Sequence, residues 1–167
     1  MFHLTESLPD LTALGAVYIF FLLVRHRKKN RTFLLDTALF LSIVFILCAT
    51  LMPFINHLNE VSYGSESQYN FIPFIDWIHK YGSYKEETVL NILLFIPFGF
   101  LHKITFQKPW WNTLLTGCLL SIIIEFIQPL ISLTRVCDIT DIITNTCGCG
   151  IGILLASLYI RKDQLKG

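Results

Sequence analysis

The stretch RVCDITDIITNTCGCGIGILLASLYI, Arg135–Ile160, joins a polar segment to an uninterrupted apolar one. Its polar part contains one arginine, two aspartates, an asparagine and three cysteines. Two interpretations are open for such a stretch: a metal or redox site, or the polar end of a membrane helix. The composition of the rest of the chain distinguishes between them.

The composition indicates that lipid is the solvent of this protein. Hydrophobic residues make up 53% of the chain, charged residues only 15%, and the mean hydropathy is +0.58. Soluble domains contain about 25% charged residues, well above the fraction found here. No basic patch is interleaved with aromatic residues, which argues against nucleic acid as a partner.

Five apolar segments predict an all-α, polytopic membrane helix bundle with about five transmembrane helices, forming a single domain over residues 1–167. About 20 apolar residues are needed to cross the hydrocarbon layer. The first segment lacks a basic leader and a small-residue cleavage site, so it is interpreted as a retained helix rather than a signal sequence. The predicted spans are residues 8–24, 33–52, 88–104, 112–131 and 139–160.

The distribution of lysine and arginine predicts the orientation of these spans. The loop between the first two segments, RHRKKNR, carries five basic residues, and cytoplasmic loops are enriched in such residues. With this loop inside, the N-terminus lies outside and the C-terminus inside. Of the thirteen basic residues, only Lys80, Lys85 and Arg135 then lie on the outer side.

The second loop, residues 53–87, is therefore predicted to be extracytoplasmic. Its segment YNFIPFIDWIHKY, residues 69–81, alternates apolar and aromatic residues with Asp76, His79 and Lys80. This pattern is typical of a short interfacial helix or a re-entrant segment. A loop that packs its aromatic side chains against the bundle is the alternative.

Polar residues at helical spacing predict a site at the outer end of three helices. Ser121, Glu125 and Gln128 share one face of the fourth helix. A second stripe follows steps of three and four residues and ends in a GxxxG pattern, which allows two helices to approach closely: Arg135, Asp138, Asp141, Asn145, Gly148 and Gly152. These glycines are expected to bring the fifth helix close to the helix that carries Glu125.

Asn91 extends the predicted site to the third helix. It is expected to begin that helix at its outer end, and Pro97 and Gly99 are expected to interrupt the helix further along. Ionisable residues within spans are costly and usually face the bundle interior or a water-filled cavity. A hydrogen-bond network that only holds the bundle together remains the alternative to a ligand-binding or catalytic pocket.

The cysteines do not form a recognisable metal site. Cys147 and Cys149 are two residues apart, so they point in diverging directions from a regular helix. No CxxC pattern occurs, and no histidine lies at ligand spacing near them. They are therefore interpreted as small apolar packing residues, with no metal predicted and the cofactor left unknown. Cys137 is expected near the surface, where a disulfide stays possible.

Three motifs together resemble the VanZ-like family. They are N-x-x-x-F-x-P-x-G beginning at Asn91, the segment SIIIEFIQ at residues 121–128, and the long R-x-x-D-x-x-D-x-x-x-N-x-x-G-x-x-x-G pattern beginning at Arg135. The upstream NFIPF, residues 70–74, is also similar to an element of that family. The resemblance covers residues 70–152, whereas the first two helices match only in placement and hydrophobicity.

The resemblance implies a multi-pass protein of the bacterial plasma membrane that raises resistance to the lipoglycopeptide teicoplanin. Partners implied by it are a membrane lipid, a lipid-linked cell-wall precursor or the antibiotic itself. Carried over residue by residue, the functional set is Asn91, Glu125, Gln128, Arg135, Asp138, Asp141 and Asn145.

Three functions are compatible with these residues. In the first, Arg135 binds a phosphate or sugar head group, while the amides of Asn91, Gln128 and Asn145 bind hydroxyl groups. In the second, the protein is an enzyme that modifies a lipid or a cell-wall precursor. Three carboxylates would then act as acid and base or hold Mg²⁺: Glu125, Asp138 and Asp141. The third, a proton-coupled transporter, is disfavoured because no inverted repeat is evident.

Overall fold

The fold is a bundle of long helices. The computed structural model describes residues 15, 18, 30–51, 69–131 and 135–165. Four of its helices are long and apolar enough to cross a membrane, which confirms the predicted all-α, polytopic bundle. These helices are α1 (Asn30–Leu51), α3 (Tyr84–Phe106), α4 (Trp110–Ile131) and α5 (Ile139–Gln164).

The first predicted span, residues 8–24, lies outside the described residues except for Gly15 and Tyr18. Both of these residues are helical. The Tyr18 ring lies 4.8 Å from that of Phe40 in α1, measured between ring centroids. The count of five spans and the orientation of the termini stay predictions.

Helix α3 is longer than the sequence predicts. It begins at Tyr84, so Asn91 lies two turns inside the helix rather than at its start. Pro97 does not break it either: the helix continues to Phe106, and the exposed Pro97 lies on its outer surface. A proline costs one backbone hydrogen bond and a local clash, and here neither is enough to end the helix.

Helices α3 and α5 pack backbone against backbone. A Cβ added at Gly148 would overlap the carbonyl oxygen of Ile92, and one at Gly152 would overlap that of Ile96. Likewise, a Cβ added at Gly99 of α3 would overlap the backbone of Cys149 in α5. The expectation that these glycines face the helix of Glu125 is therefore wrong, because the GxxxG face of α5 contacts α3. Contact with α4 comes from another face of α5.

The core lies between these three helices and α1. Its buried side chains are mostly large and apolar: Leu39, Ile46, Phe95, Phe98, Ile124, Cys149 and Ile153. Around the outside, each long helix leaves large apolar side chains exposed, among them Leu93, Ile123 and Leu154. Exposed apolar side chains in such numbers are expected of a surface that lipid covers.

Three short elements close one end of the bundle. Strand β1 (Tyr69–Asn70) pairs in parallel with β2 (Cys137–Asp138), so that Asn70 lies opposite Asp138. The five-residue helix α2 (Ile75–His79) follows β1. Because α1 and α4 end here while α3 and α5 begin here, we call this end of the bundle the polar end.

The segment between β1 and α3 exposes its aromatic and apolar side chains. Phe71, Ile72, Ile78 and Tyr81 are all more than half exposed, and α2 buries none of its residues. A loop that packs these side chains against the bundle would bury them. Their exposure therefore favours the predicted interfacial segment over that alternative.

Candidate functional site

Asp138 anchors the polar end by capping α5. Its Oδ1 accepts a hydrogen bond from the backbone N–H of Thr140 at 2.6 Å, which is the usual role of an aspartate before a helix. Its Oδ2 accepts a second bond from the Asn70 amide at 2.9 Å. Both carboxylate oxygens therefore hold structural hydrogen bonds, and they tie the loop of β1 to the start of α5.

Glu125 lies behind this cap. Its side chain is 1% exposed, and its Oε2 accepts a hydrogen bond from the backbone N–H of Asp138 at 3.2 Å. The bond joins the last turns of α4 to β2. Glu125 is thus a buried acceptor that fixes the position of the segment before α5.

Gln128 and Arg135 extend the network from α4 to α1. The Gln128 amide satisfies both of its ends when its nitrogen donates to Glu125 Oε2 (3.2 Å) and its oxygen accepts from Arg135 Nη1 (3.3 Å). The same Nη1 donates to the backbone carbonyl of Thr50, near the end of α1. Arg135 therefore reaches Glu125 through the amide of Gln128.

A cleft of about 640 Å³ opens in front of this network. The polar part of its lining consists of Glu87, Asn91, Gln128, Arg135 and Asp141. The apolar part comes mainly from α1 and α3: Phe45, Ala49, Leu90, Leu93 and Leu94. Its volume lies within the usual range of about 300–1,000 Å³ for ligand-binding pockets.

A second cavity of about 260 Å³ adjoins the cleft. The two share Glu87, Val136 and Asp141 in their linings. The smaller cavity adds further carboxylates and aromatic rings from α2, α3 and the start of α5: Phe74, Asp76, Trp77, Tyr84 and Asp138. Asp141 is thus placed between the two cavities, in the first turn of α5.

Asn145 does not join the predicted pocket. It is 1% exposed, and its amide nitrogen donates to Ser121 Oγ at 2.9 Å, deep between α4 and α5. Among the residues that the structure describes, neither Asn145 nor Glu125 lines the cleft or the smaller cavity. The structure thus brings Asn91, Gln128, Arg135, Asp138 and Asp141 to the cavities and places Glu125 and Asn145 behind them.

The cysteines are distributed over α1, α4, β2 and α5. Cys118, Cys137, Cys147 and Cys149 are free thiols, and Cys149 packs between helices with its Sγ 3.6 Å from the Thr113 carbonyl oxygen. Cys137 is 1% exposed rather than near the surface, because β1 and α4 cover β2. Burial, together with nearby carboxylates, raises the pKa of the Cys137 thiol. Among residues 30–51, 69–131 and 135–165, no three His, Cys, Asp or Glu side chains are grouped closely enough to hold a metal ion.

Several residues of the site were not predicted from the sequence. Thr50 contributes its backbone carbonyl, and any residue type could supply that group. Glu87 was assigned only to the second loop, residues 53–87, because α3 was expected to begin after it. Asn70 is the exception: it belongs to the NFIPF segment, and its bond to Asp138 joins that segment to the R-x-x-D motif.

Comparison with known proteins agrees with the motifs. A sequence model of the VanZ/LLP1 family matches residues 33–160, most of the chain. The chain is also 35% identical over 81 residues to Protein VanZ of Enterococcus faecium, covering 48% of this chain. It spans about half the length of that curated relative, with 50% of the relative covered. No solved structure matches the chain. Because the family match extends over four membrane-length helices and the whole polar end, the chain is a VanZ-type membrane protein and belongs to the VanZ/LLP1 family.

Proposed function

We propose that this protein lowers susceptibility to teicoplanin-like lipoglycopeptides by binding an amphiphilic ligand in the cleft at its polar end. The ligand is a lipid-linked cell-wall precursor, a membrane lipid or the antibiotic itself. The protein acts in the bacterial plasma membrane with the polar end outside. The similarity to Protein VanZ of Enterococcus faecium supports the antibiotic part of this proposal.

The observation that carries the proposal is the mixed lining of the cleft. Arg135, Asn91 and Gln128 supply hydrogen-bond donors and acceptors, which suit a phosphate or sugar head group. Phe45 and Leu93 also line the cleft and are both more than half exposed, so they would contact lipid. Such a cleft suits a molecule with a polar head and an apolar chain, held at the border of head groups and hydrocarbon.

The charges at the two ends of the bundle support the orientation. At the end opposite the polar end lie Lys103, Lys108, Arg161 and Lys162. The polar end carries most of the acidic residues that the structure describes, including Glu86 and Glu87 in the first turn of α3. Since cytoplasmic loops are enriched in lysine and arginine, the basic end is placed in the cytoplasm.

Binding is favoured over catalysis because two of the predicted catalytic carboxylates make structural hydrogen bonds. Asp138 uses both oxygens for the cap and for Asn70, and Glu125 lies behind the cleft. Of the three carboxylates expected to act as acid and base, Asp141 alone lines the larger cleft among the described residues. Asp141 and Glu87 line the cleft together with an arginine and two amides, a set of charged and hydrogen-bonding groups that suits recognition of a head group.

Susceptibility measurements in cells test the proposal. Cells expressing the wild type should require at least about fourfold more teicoplanin for inhibition than cells with an empty vector, with vancomycin changed less. Arg135→Gln and Asp141→Asn should each abolish the difference, because a lost charged hydrogen bond weakens binding by about 1.5–3 kcal/mol, more than tenfold. The control is Glu86→Gln, which removes a carboxylate from the same end but outside both cavities, and which should behave as wild type.

The proposal is wrong if wild type and empty vector give the same inhibitory concentrations while immunoblots verify equal membrane expression. It is also wrong if Glu86→Gln loses as much resistance as Asp141→Asn, because the effect would then follow the charge of this end rather than the cleft.

A further inference from the structure

The smaller cavity has a composition of its own. Its lining contains four carboxylates, those of Asp76, Glu87, Asp138 and Asp141, and no lysine or arginine. Three aromatic side chains complete the walls: Phe74, Trp77 and Tyr84. Carboxylates combined with aromatic faces favour a cation that is partly apolar, because the faces of the rings attract positive charge and also cover alkyl groups.

Several contacts hold the aromatic walls in place. The rings of Trp77 and Tyr84 meet edge to face, with centroids 5.0 Å apart, and Trp77 Nε1 donates to Thr88 Oγ1 at 3.0 Å. The backbone N–H of Phe74 donates to Thr140 Oγ1 at 2.9 Å, which ties the loop before α2 to the first turn of α5. The cavity is therefore built by residues from separate segments that are bonded to one another.

The spacing of the carboxylates favours an organic cation over a bare metal ion. Within the part of the chain that the structure describes, no three carboxylate, histidine or cysteine side chains are grouped closely enough to hold a metal. A cavity of about 260 Å³ has room for several waters of about 30 Å³ each, or for one small organic group. It is too small for a whole amphiphile and suits one substituent of a head group.

The two cavities adjoin and share lining residues, so a head group in the cleft lies within reach of the smaller cavity. Glu87 and Asp141 line the cleft and the smaller cavity alike, whereas Arg135 lines only the cleft. We propose that the smaller cavity binds an ammonium group on the head group of the amphiphile that occupies the cleft. Arg135 then faces the anionic or hydroxyl-bearing part of the head group, and the chain lies along Phe45 and Leu93. This inference rests on the proposed function, since it names the chemistry of the same ligand.

The ammonium group can come from two sources: an aminophospholipid or an amine-bearing lipoglycopeptide. Native mass spectrometry of the purified protein in detergent distinguishes them.

The probes are two matched pairs: lauroyl lysophosphatidylethanolamine with its N-acetyl derivative, and teicoplanin with its amines free or acetylated. Acetylation removes the positive charge while keeping the chain and the rest of the head group. In at least one pair, we expect the free amine to bind at least about tenfold more tightly than the acetylated form, because acetylation removes a charge-assisted hydrogen bond to a carboxylate. The pair that shows the difference identifies the source.

Two variants locate the effect. Asp76→Asn lies in the smaller cavity only, so it should weaken binding of the free amine about fivefold or more and leave the acetylated form unchanged. Glu86→Gln, outside both cavities, should leave both affinities as in the wild type. The comparison of probes on the wild type needs no variant, so a variant that fails to fold does not remove the test.

Equal affinity for free and acetylated forms in both pairs would overturn the ammonium inference. If Arg135→Gln still weakens all bound probes in that case, the cleft remains the binding site and the proposed function stands. If none of the four probes binds and Arg135→Gln leaves susceptibility unchanged in cells, the proposed function falls together with this inference.

Discussion

Asp138 and Glu125 are two carboxylates of the family motifs that have different structural roles. Asp138 caps α5 with one oxygen and holds Asn70 with the other. Glu125 accepts from the backbone N–H of Asp138 and lies close to the Gln128 amide. Neither role involves catalysis. Both carboxylates instead help to hold in position the residues that line the cavities.

The burial of Glu125 leads to a prediction about stability. Glu125→Gln keeps an oxygen acceptor for the Asp138 N–H and should lower the free energy of unfolding by about 1 kcal/mol or less. Glu125→Leu leaves that buried N–H without a partner and should lower it by about 2–3 kcal/mol. Thermal or denaturant unfolding of the purified variants in detergent measures the difference. A leucine variant as stable as the wild type would show that the network does not hold the polar end together.

Helix α5 works as the central element of the site because two of its faces contact different partners. Its glycine face lies on the backbone of α3, while Asn145 donates to Ser121 of α4. The contact with α3 brings Asp141 of α5 and Asn91 of α3 to the wall of one cleft. The geometry of the cleft therefore depends on how closely α3 and α5 approach.

Substitutions of the α5 glycines test this dependence. Gly148→Ala and Gly152→Ala would each place a Cβ against the carbonyl oxygen of an α3 residue, and each should cost about 1–3 kcal/mol of unfolding free energy. Gly150→Ala is the matched control, since its Cβ would meet only Leu114 Cδ1 at 3.8 Å. It should stay within about 0.5 kcal/mol of the wild type. If Gly148→Ala and Gly152→Ala are as stable as Gly150→Ala, the close packing does not decide, because the higher helix propensity of alanine would act alike at all three positions.

The sequence predicted the elements better than their contacts. Hydrophobic length was enough to find the four long helices, and helical spacing was enough to put Arg135, Asp138 and Asp141 near one another. The spacing of residues on one helix does not show which other helix they contact. Gly148 and Gly152 were therefore expected to contact α4, whereas they contact α3. Nor does spacing measure depth, so Asn145 was placed in the pocket although it lies between α4 and α5. The role of the Thr50 backbone carbonyl has no sequence signal, because every residue has a backbone carbonyl.

The whole bundle is asymmetric along its long axis. One end carries acidic residues and both cavities, and the other carries the basic residues of the α3–α4 turn and of the α5 terminus. Aromatic side chains are exposed at both ends: Trp77 and Tyr81 at the polar end, and Trp110 and Trp111 at the other. Such belts are found where membrane helices meet the two interfaces. A helix of 23 residues such as α3 is about 35 Å long, enough to span a hydrocarbon layer of about 30 Å.

Residue Val136 offers the most direct test of the central claim, that the polar end is an outward-facing ligand cleft. It is 43% exposed and lines both cavities, whereas the adjacent Cys137 is buried and its raised pKa leaves little reactive thiolate. The measurement is the rate at which a membrane-impermeant maleimide labels Val136→Cys in intact cells, above the background of the wild type. We predict labelling without permeabilisation, slowed at least about threefold by a saturating amphiphile that binds the purified protein. Labelling only after permeabilisation, or at an unchanged rate with the amphiphile present, would contradict the account.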